Sequence, residues 1–162
     1  SIHSFPTRRS SDLLLELIRT TAASQFSLPL SLASPKIILL SSMPSTGYET
    51  STGERIAQSE ADLLVRAVSS GDFHATIPGT TLGALNLGLG IPGTVIYELV
   101  GGGEEEVVVV RAGHAAGVAS SSVRFVQGEK GRRVPTSVVM MRTAREIMRG
   151  EVMVPQRFFE QE

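Results

Sequence analysis

Few residues in this 162-residue chain have the types and spacing to do chemistry. Pro78 and the segment Gly79-Thr80-Thr81-Leu82 open an apolar stretch that reads as a helix. Unpaired backbone N–H groups at such a start, together with the helix macrodipole, form an anion site. An ordinary threonine N-cap is the plainer reading of the same residues. Arg66 falls off the apolar positions of the preceding segment, where it is either a solvated cation or a carboxylate ligand. His74 comes just before the helix start, and His114 sits in the glycine-bounded turn Gly113-His114-Ala115-Ala116-Gly117. Neither histidine has an adjacent carboxylate to tune it, and a lone histidine is more often a structural hydrogen-bonding residue than a catalyst. His114 is the stronger candidate because its glycines leave room for a ligand. The chemistry these groups can do is to hold a small anion and to pass protons beside it.

Other chemistries are excluded by composition. There is no cysteine, hence no disulfide, thiolate metal site or thiol nucleophile. No Walker A sequence, H-E-x-x-H pair or dinucleotide fingerprint occurs, so no metal or organic cofactor is expected. Fifteen Lys+Arg against sixteen Asp+Glu leave a net charge of −1, and aromatics are 5%, which argues against a nucleic-acid partner. Arg124–Arg149 is locally basic, but without interleaved aromatics it reads as a solvated hairpin with local ion pairs. Hydrophobic residues at 41% exclude wholesale disorder, and the length suits one core-bearing domain. Ala75–Tyr97 carries no charge and is long enough to span a membrane, but Pro78, Pro92 and five glycines favour a short buried helix followed by a strand. The expectation is a cytoplasmic protein without a membrane partner.

The elements that must position these residues follow from periodicity. Ser1–Leu13 is polar and without period; it resembles a translated adapter read-through, which would place the native chain at 14–162 and its true start inside a longer protein. Leu14–Ala23 reads as a helix and Lys36–Ser42 as a buried strand, followed by a loop over Pro44–Gly53. Ser59 with Asp62 reads as a capping box, and Ala61, Leu64, Val65 and Val68 take helical spacing up to a stop at Gly71. Leu82–Leu89 is a second helix, whose Gly83 and Gly88 imply close packing beneath a sheet. Thr94–Val100 and Glu105–Arg111 read as a hairpin joined by Gly101-Gly102-Gly103. Val118–Gln127 and Val134–Arg142 follow as paired strands, then a helical turn over Thr143–Arg149 and a last strand at Val152–Pro155. The fold class is α+β, with a late antiparallel or mixed sheet wrapped around a central helix.

Five segments, in order, resemble the PrpF-type 2-methylaconitate isomerases and the related 4-oxalomesaconate tautomerases. They are PKIILLS (35–41), ADLLVRAVSSGDFHA (61–75), PGTTLGALNLGLGIPGTVI (78–96), VRAGHAAG (110–117) and MRTAREIMRGEVMVP (141–155). The resemblance implies a diaminopimelate epimerase-like fold of two lobes facing a cleft, of which this chain matches the C-terminal lobe. It implies a cofactor-independent isomerase that shifts a double bond in a small unsaturated di- or tricarboxylic acid. Substrate contacts are then expected at Gly79, Thr80, Thr81, Leu82, Arg66, His74, His114 and Gly117. The catalytic acid and base are expected in the missing N-terminal lobe, since Lys36 and Lys130 are the only lysines and neither sits in the family's glycine-rich lysine motif. Within MRTAR, Arg145 is expected in an internal ion pair, alongside Arg142. Ala115-Ala116 stand where the family usually has Pro-Ser, removing a hydroxyl from that loop. The rival reading is a non-catalytic binding module derived from such a lobe.

Overall fold

The structure, a computed structural model, describes residues 10–32, 34–69, 72–141 and 146–156. Its centre is a six-stranded sheet. The strands are β1 (Ile37–Ser42), β4 (Leu63–Ser69), β5 (Asp72–Phe73), β6 (Val107–His114), β7 (Gly117–Gln127) and β8 (Arg133–Met140). The order is β1-β4-β6-β7-β8, with β5 folded back on β4. All neighbours are antiparallel except β4 and β6, which run parallel where Leu63 meets Ala112 and Leu64 meets Gly113. A two-stranded ribbon, β2 (Tyr48–Glu49) with β3 (Arg55–Ile56), stands apart from this sheet. Three helices complete the fold: α1 (Ser10–Gln25), α2 (Gly79–Leu89) and α3 (Val95–Val100).

Side-chain alternation explains where the core lies. Leu63, Val65 and Ala67 of β4, Val108, Val110 and Ala112 of β6, and Val123 and Phe125 of β7 all turn to one face. Against them α2 sets Leu82, Leu85 and Leu89, with Ile96 of α3 beside it. The expected central helix under a late sheet is what forms. Of the two expected close-packing glycines, Gly88 is one, since a methyl there would lie 2.9 Å from Ile96, whereas one on Gly83 would meet Val138 at an ordinary 3.7 Å; just past the helix, a methyl on Gly90 would lie 2.2 Å from the Phe125 ring. Two buried polar contacts tie helix to sheet: the Asn86 amide donates to Ser121 Oγ at 3.0 Å, and that hydroxyl donates to the Leu82 carbonyl at 3.4 Å.

Several expected elements are different in the structure. The expected helix over 61–71 is replaced by strand β4 over Leu63–Ser69, because apolar residues at 61, 63, 64, 65, 67 and 68 satisfy both periods and β1 and β6 flank the segment on either side. The expected Ser59–Asp62 box is absent: Glu60 accepts the Ala57 N–H at 2.7 Å, and Asp62 instead accepts the Arg111 backbone N–H at 2.7 Å and its guanidinium at 2.6 Å. Thr94–Val100 is not a strand but helix α3; the Thr94 hydroxyl caps it by accepting the Tyr97 N–H at 3.3 Å, and Gly101 ends it at φ 93°. The glycine run therefore closes a helix and makes no hairpin. Val152–Pro155 forms no strand and is exposed. Residues 146–149 are not helical, although Arg149 pairs with Glu146 at 3.0 Å. Arg142, Arg145 and Gly71 lie outside the described residues, as does Ser1–Arg9 of the expected extension. Among the described residues no helix is long and apolar enough to cross a membrane.

Candidate carboxylate site

The face of β4 turned away from the core carries Leu64, Arg66 and Val68, all half-buried. The apolar pair around Arg66 obscured the strand in the sequence and here shields the base of a cation. The Arg66 guanidinium donates to the Val65 carbonyl at 3.0 Å. The ion pairs among the described residues are Arg19–Glu16, Arg111–Asp62, Arg124–Glu106 and Arg149–Glu146, and none engages Arg66. An open pocket of about 400 Å³ lies over it, lined by Arg66, Phe73, His74, Ala75 and Ala115. On the other side Arg66 also lines a smaller hollow of about 230 Å³ with Leu39, Leu40 and Leu64. One cation thus stands among mostly apolar walls, an arrangement that strengthens its attraction for an anion relative to open water.

Three chain segments build the pocket. The β4–β5 return brings Phe73 and His74 beside Arg66, with the His74 N–H donating to the Ala67 carbonyl at 2.9 Å. The β6–β7 turn brings Ala115. Inside that turn His114 is 7% exposed, and its Nδ1 accepts the Ala116 N–H at 3.1 Å. Because Nδ1 accepts, the neutral ring carries its proton on Nε2, and the Ala75 backbone lies close enough to the ring to act on its charge. Burial is the main cause that holds the His114 imidazole below its ordinary value of 6.5; the nearby Arg66 cation acts the same way and the Ala75 backbone opposes both. Nδ1 is therefore spent on holding the turn beside the pocket wall. Gly117, at φ 131°, takes a backbone angle that disfavours a side chain and closes the hairpin opposite His114.

This histidine makes stability depend on pH in a defined direction. Above 6.5 the imidazole is neutral in both folded and unfolded chains, and the contribution is fully present. Below 6.5 the unfolded chain binds a proton that the folded chain refuses, so stability falls as pH drops toward the lowered folded value. Urea midpoints measured at pH 7.5 and 5.5 should separate more for the native chain than for His114→Gln; equal separations would contradict the assignment.

Of the residues singled out in the sequence, the structure places Arg66 and His74 on one pocket and His114 directly behind it. Gly117 serves the backbone of the same turn. The helix start follows the pocket wall in sequence, Ala75 leading through residues 76–77 into Pro78. Pro78 gives α2 no side-chain cap, so Gly79, Thr80 and Thr81 hold the leading N–H groups. The Leu82 amide is already bonded to the Pro78 carbonyl at 3.0 Å, which removes it as a donor to a ligand. Thr81 is 3% exposed and its hydroxyl has no hydrogen-bond partner. Phe73 and Ala75 were not foreseen, since nothing in their local sequence marks them. Among the described residues no group of three or more His, Asp or Glu is placed to hold a metal.

Comparison with known proteins gives this arrangement its context. The chain is 39% identical over 121 residues to a 2-methyl-aconitate isomerase of Shewanella oneidensis, covering 75% of this chain and 29% of that protein. It is 33% identical over 112 residues to a 3-methylitaconate isomerase of Eubacterium barkeri, covering 68% and 28%. Its structure resembles the crystal structure of methylitaconate-delta-isomerase with a TM-score of 0.66 at 27% identity, over 89% of this chain and 38% of that one. The expected α+β, diaminopimelate epimerase-like fold is borne out by that likeness. The chain spans less than a third of the length of these curated relatives. Residues 11–155 match the family described as PrpF protein, and the chain belongs to that family.

Proposed function

We propose that this chain is the C-terminal lobe of an isomerase that shifts a double bond in a small unsaturated di- or tricarboxylic acid, and that it supplies the wall holding the substrate's carboxylates. The observation that carries the reading is Arg66, without a carboxylate partner among the described residues, at the base of an apolar-walled pocket. A guanidinium there holds one carboxylate by paired charge-assisted hydrogen bonds. The leading N–H groups at Gly79, Thr80 and Thr81 serve a second. The reaction removes a proton from carbon near a carboxylate, moves the electron pair along the allylic system and returns a proton at the far end. Electron-poor donors around the carboxylate stabilise the enolate-like intermediate. The balance is one proton out and one proton in, so neither a redox cofactor nor a metal enters the scheme. The acid and base come from the opposing lobe; His114 is buried, and its Nδ1 already accepts the Ala116 N–H.

A complete parent protein incubated with methylaconitate-, methylitaconate- or oxalomesaconate-like acids should change their conjugated-acid absorbance. The 162-residue chain alone should not turn them over, yet should bind polycarboxylates weakly, since its site is open to solvent and screened by salt. No change with any such acid leaves the non-catalytic binding module as the better reading. Turnover by the chain alone would relocate the acid and base into this lobe.

A further inference from the structure

The wall of the Arg66 pocket that carries Ala115 is gripped from a distant part of the chain. Tyr48, on the small β2–β3 ribbon, sends its hydroxyl into the end of the β6–β7 hairpin. It donates to the Gly117 carbonyl at 2.5 Å and accepts the His114 N–H at 3.1 Å. Three residues on, Ser51 sets two donors on the Ala115 carbonyl, its N–H at 2.7 Å and its hydroxyl at 3.0 Å. The loop therefore holds the His114 N–H and the Ala115 and Gly117 carbonyls on either side of the turn, across a separation of 64–69 residues. Space has been cleared for the phenol: a methyl on Gly113 would lie 3.0 Å from the Tyr48 ring and 2.9 Å from Leu64. The ribbon is itself locked, because a side chain on Gly47 would meet the Ile56 carbonyl at 2.1 Å.

From the turn, the constraint passes to the pocket. Ala115 is itself a lining residue, and the His114 ring within the turn accepts the Ala116 N–H, so the groups that hold the turn also hold that wall of the pocket. Deleting the hydroxyl leaves the His114 N–H and the Gly117 carbonyl to find each other or water, and the turn gains freedom. Burial raises the Tyr48 phenol above its ordinary value of 10.0, so it keeps its donor proton at neutral pH. We propose that Tyr48 is a positioning residue of the carboxylate site: it touches no ligand, and its hydroxyl sets the distance between the Ala115 wall and Arg66. This rests on reading the Arg66 pocket as the ligand site, and it names a device within that site that neither periodicity nor motif marks.

The test uses the full 162-residue chain with Tyr48→Phe and, as a milder variant, Ser51→Ala. Two quantities are read on folded protein: the titration midpoint for tricarballylate, and the side-chain ¹⁵N signals of His114 with the Ala116 amide. Tyr48→Phe should raise the midpoint about fivefold or more and move the His114 Nδ1 signal away from its acceptor position. Ser51→Ala should do both to a smaller extent, and it answers the question if Tyr48→Phe does not fold. A fall in melting temperature with midpoint and His114 signals unchanged would make Tyr48 merely structural and overturn the proposal. The two readings fail separately. Absence of any tricarballylate response in the native chain defeats the ligand site, whereas the His114 signals report on the grip without ligand.

Discussion

Arg66→Gln should weaken polycarboxylate binding by the chain at least tenfold, with little change in melting temperature. The side chain is half-buried on the outer face of β4 and, among the described residues, bonds the Val65 carbonyl alone, so its loss removes little from the core. What it removes is the charge. A hydrogen bond to a charged group contributes about 1.5–3 kcal/mol, and about 1.4 kcal/mol corresponds to a factor of ten in affinity. Arg66→Lys keeps the cation but loses the planar fork, and should fall between the two. Isothermal titration with tricarballylate at low salt reads all three. As a contrast, Arg111→Gln breaks the Asp62 pair that staples β6 to the start of β4, and should lower stability without moving the titration. Equal affinity in Arg66→Gln and the native chain would mean that the pocket is not the carboxylate site.

Phe125→Ala should be the most destabilising single change in the described residues, by about 3–5 kcal/mol. The ring is 2% exposed on the inner face of β7, beneath the end of α2. It fills the space that Gly90 leaves open, so truncation creates a cavity that the rigid helix end cannot close. It also seats Arg133, whose guanidinium lies 4.3 Å from the ring centroid. That guanidinium donates to the carbonyls of Gly103 and Glu105, holding the segment between α3 and β6. Removing the ring therefore loosens a loop as well as a core. Urea denaturation followed by circular dichroism measures the cost; a loss below about 1 kcal/mol would show that α2 and Arg133 collapse into the gap.

How much of this was legible depends on whether local sequence decided the outcome. Helix α2 was legible because a proline start, an apolar run and tolerated glycines agree with one another. The β6–β7–β8 meander was legible because valine-rich runs are broken by glycine turns at Gly113–Gly117 and Gly128–Gly131. Segment 61–68 was not, because its outer face is apolar around Arg66 and mimics a helical stripe. Only the neighbouring strands β1 and β6, distant in sequence, resolve it. In α3 the valines outweighed the two residues that mark a short helix, Thr94 at the cap and Gly101 in the left-handed region. Arg66 was singled out through the family resemblance, and His74 and His114 by residue type and surroundings. Tyr48 could not be found this way, since its partners lie 66 and 69 residues further on.

The central claim is that the Arg66 pocket receives a carboxylate, and backbone amide shifts during a tricarballylate titration of the native chain test it most directly. The account predicts shifts centred on Arg66, Phe73, His74 and Ala75, with Ala115 to Gly117 and the first turn of α2 following at the same midpoint, all suppressed in Arg66→Gln. Shifts centred instead on Arg132 and Arg133 at the far end of the sheet, or no saturable shift at all, would contradict it.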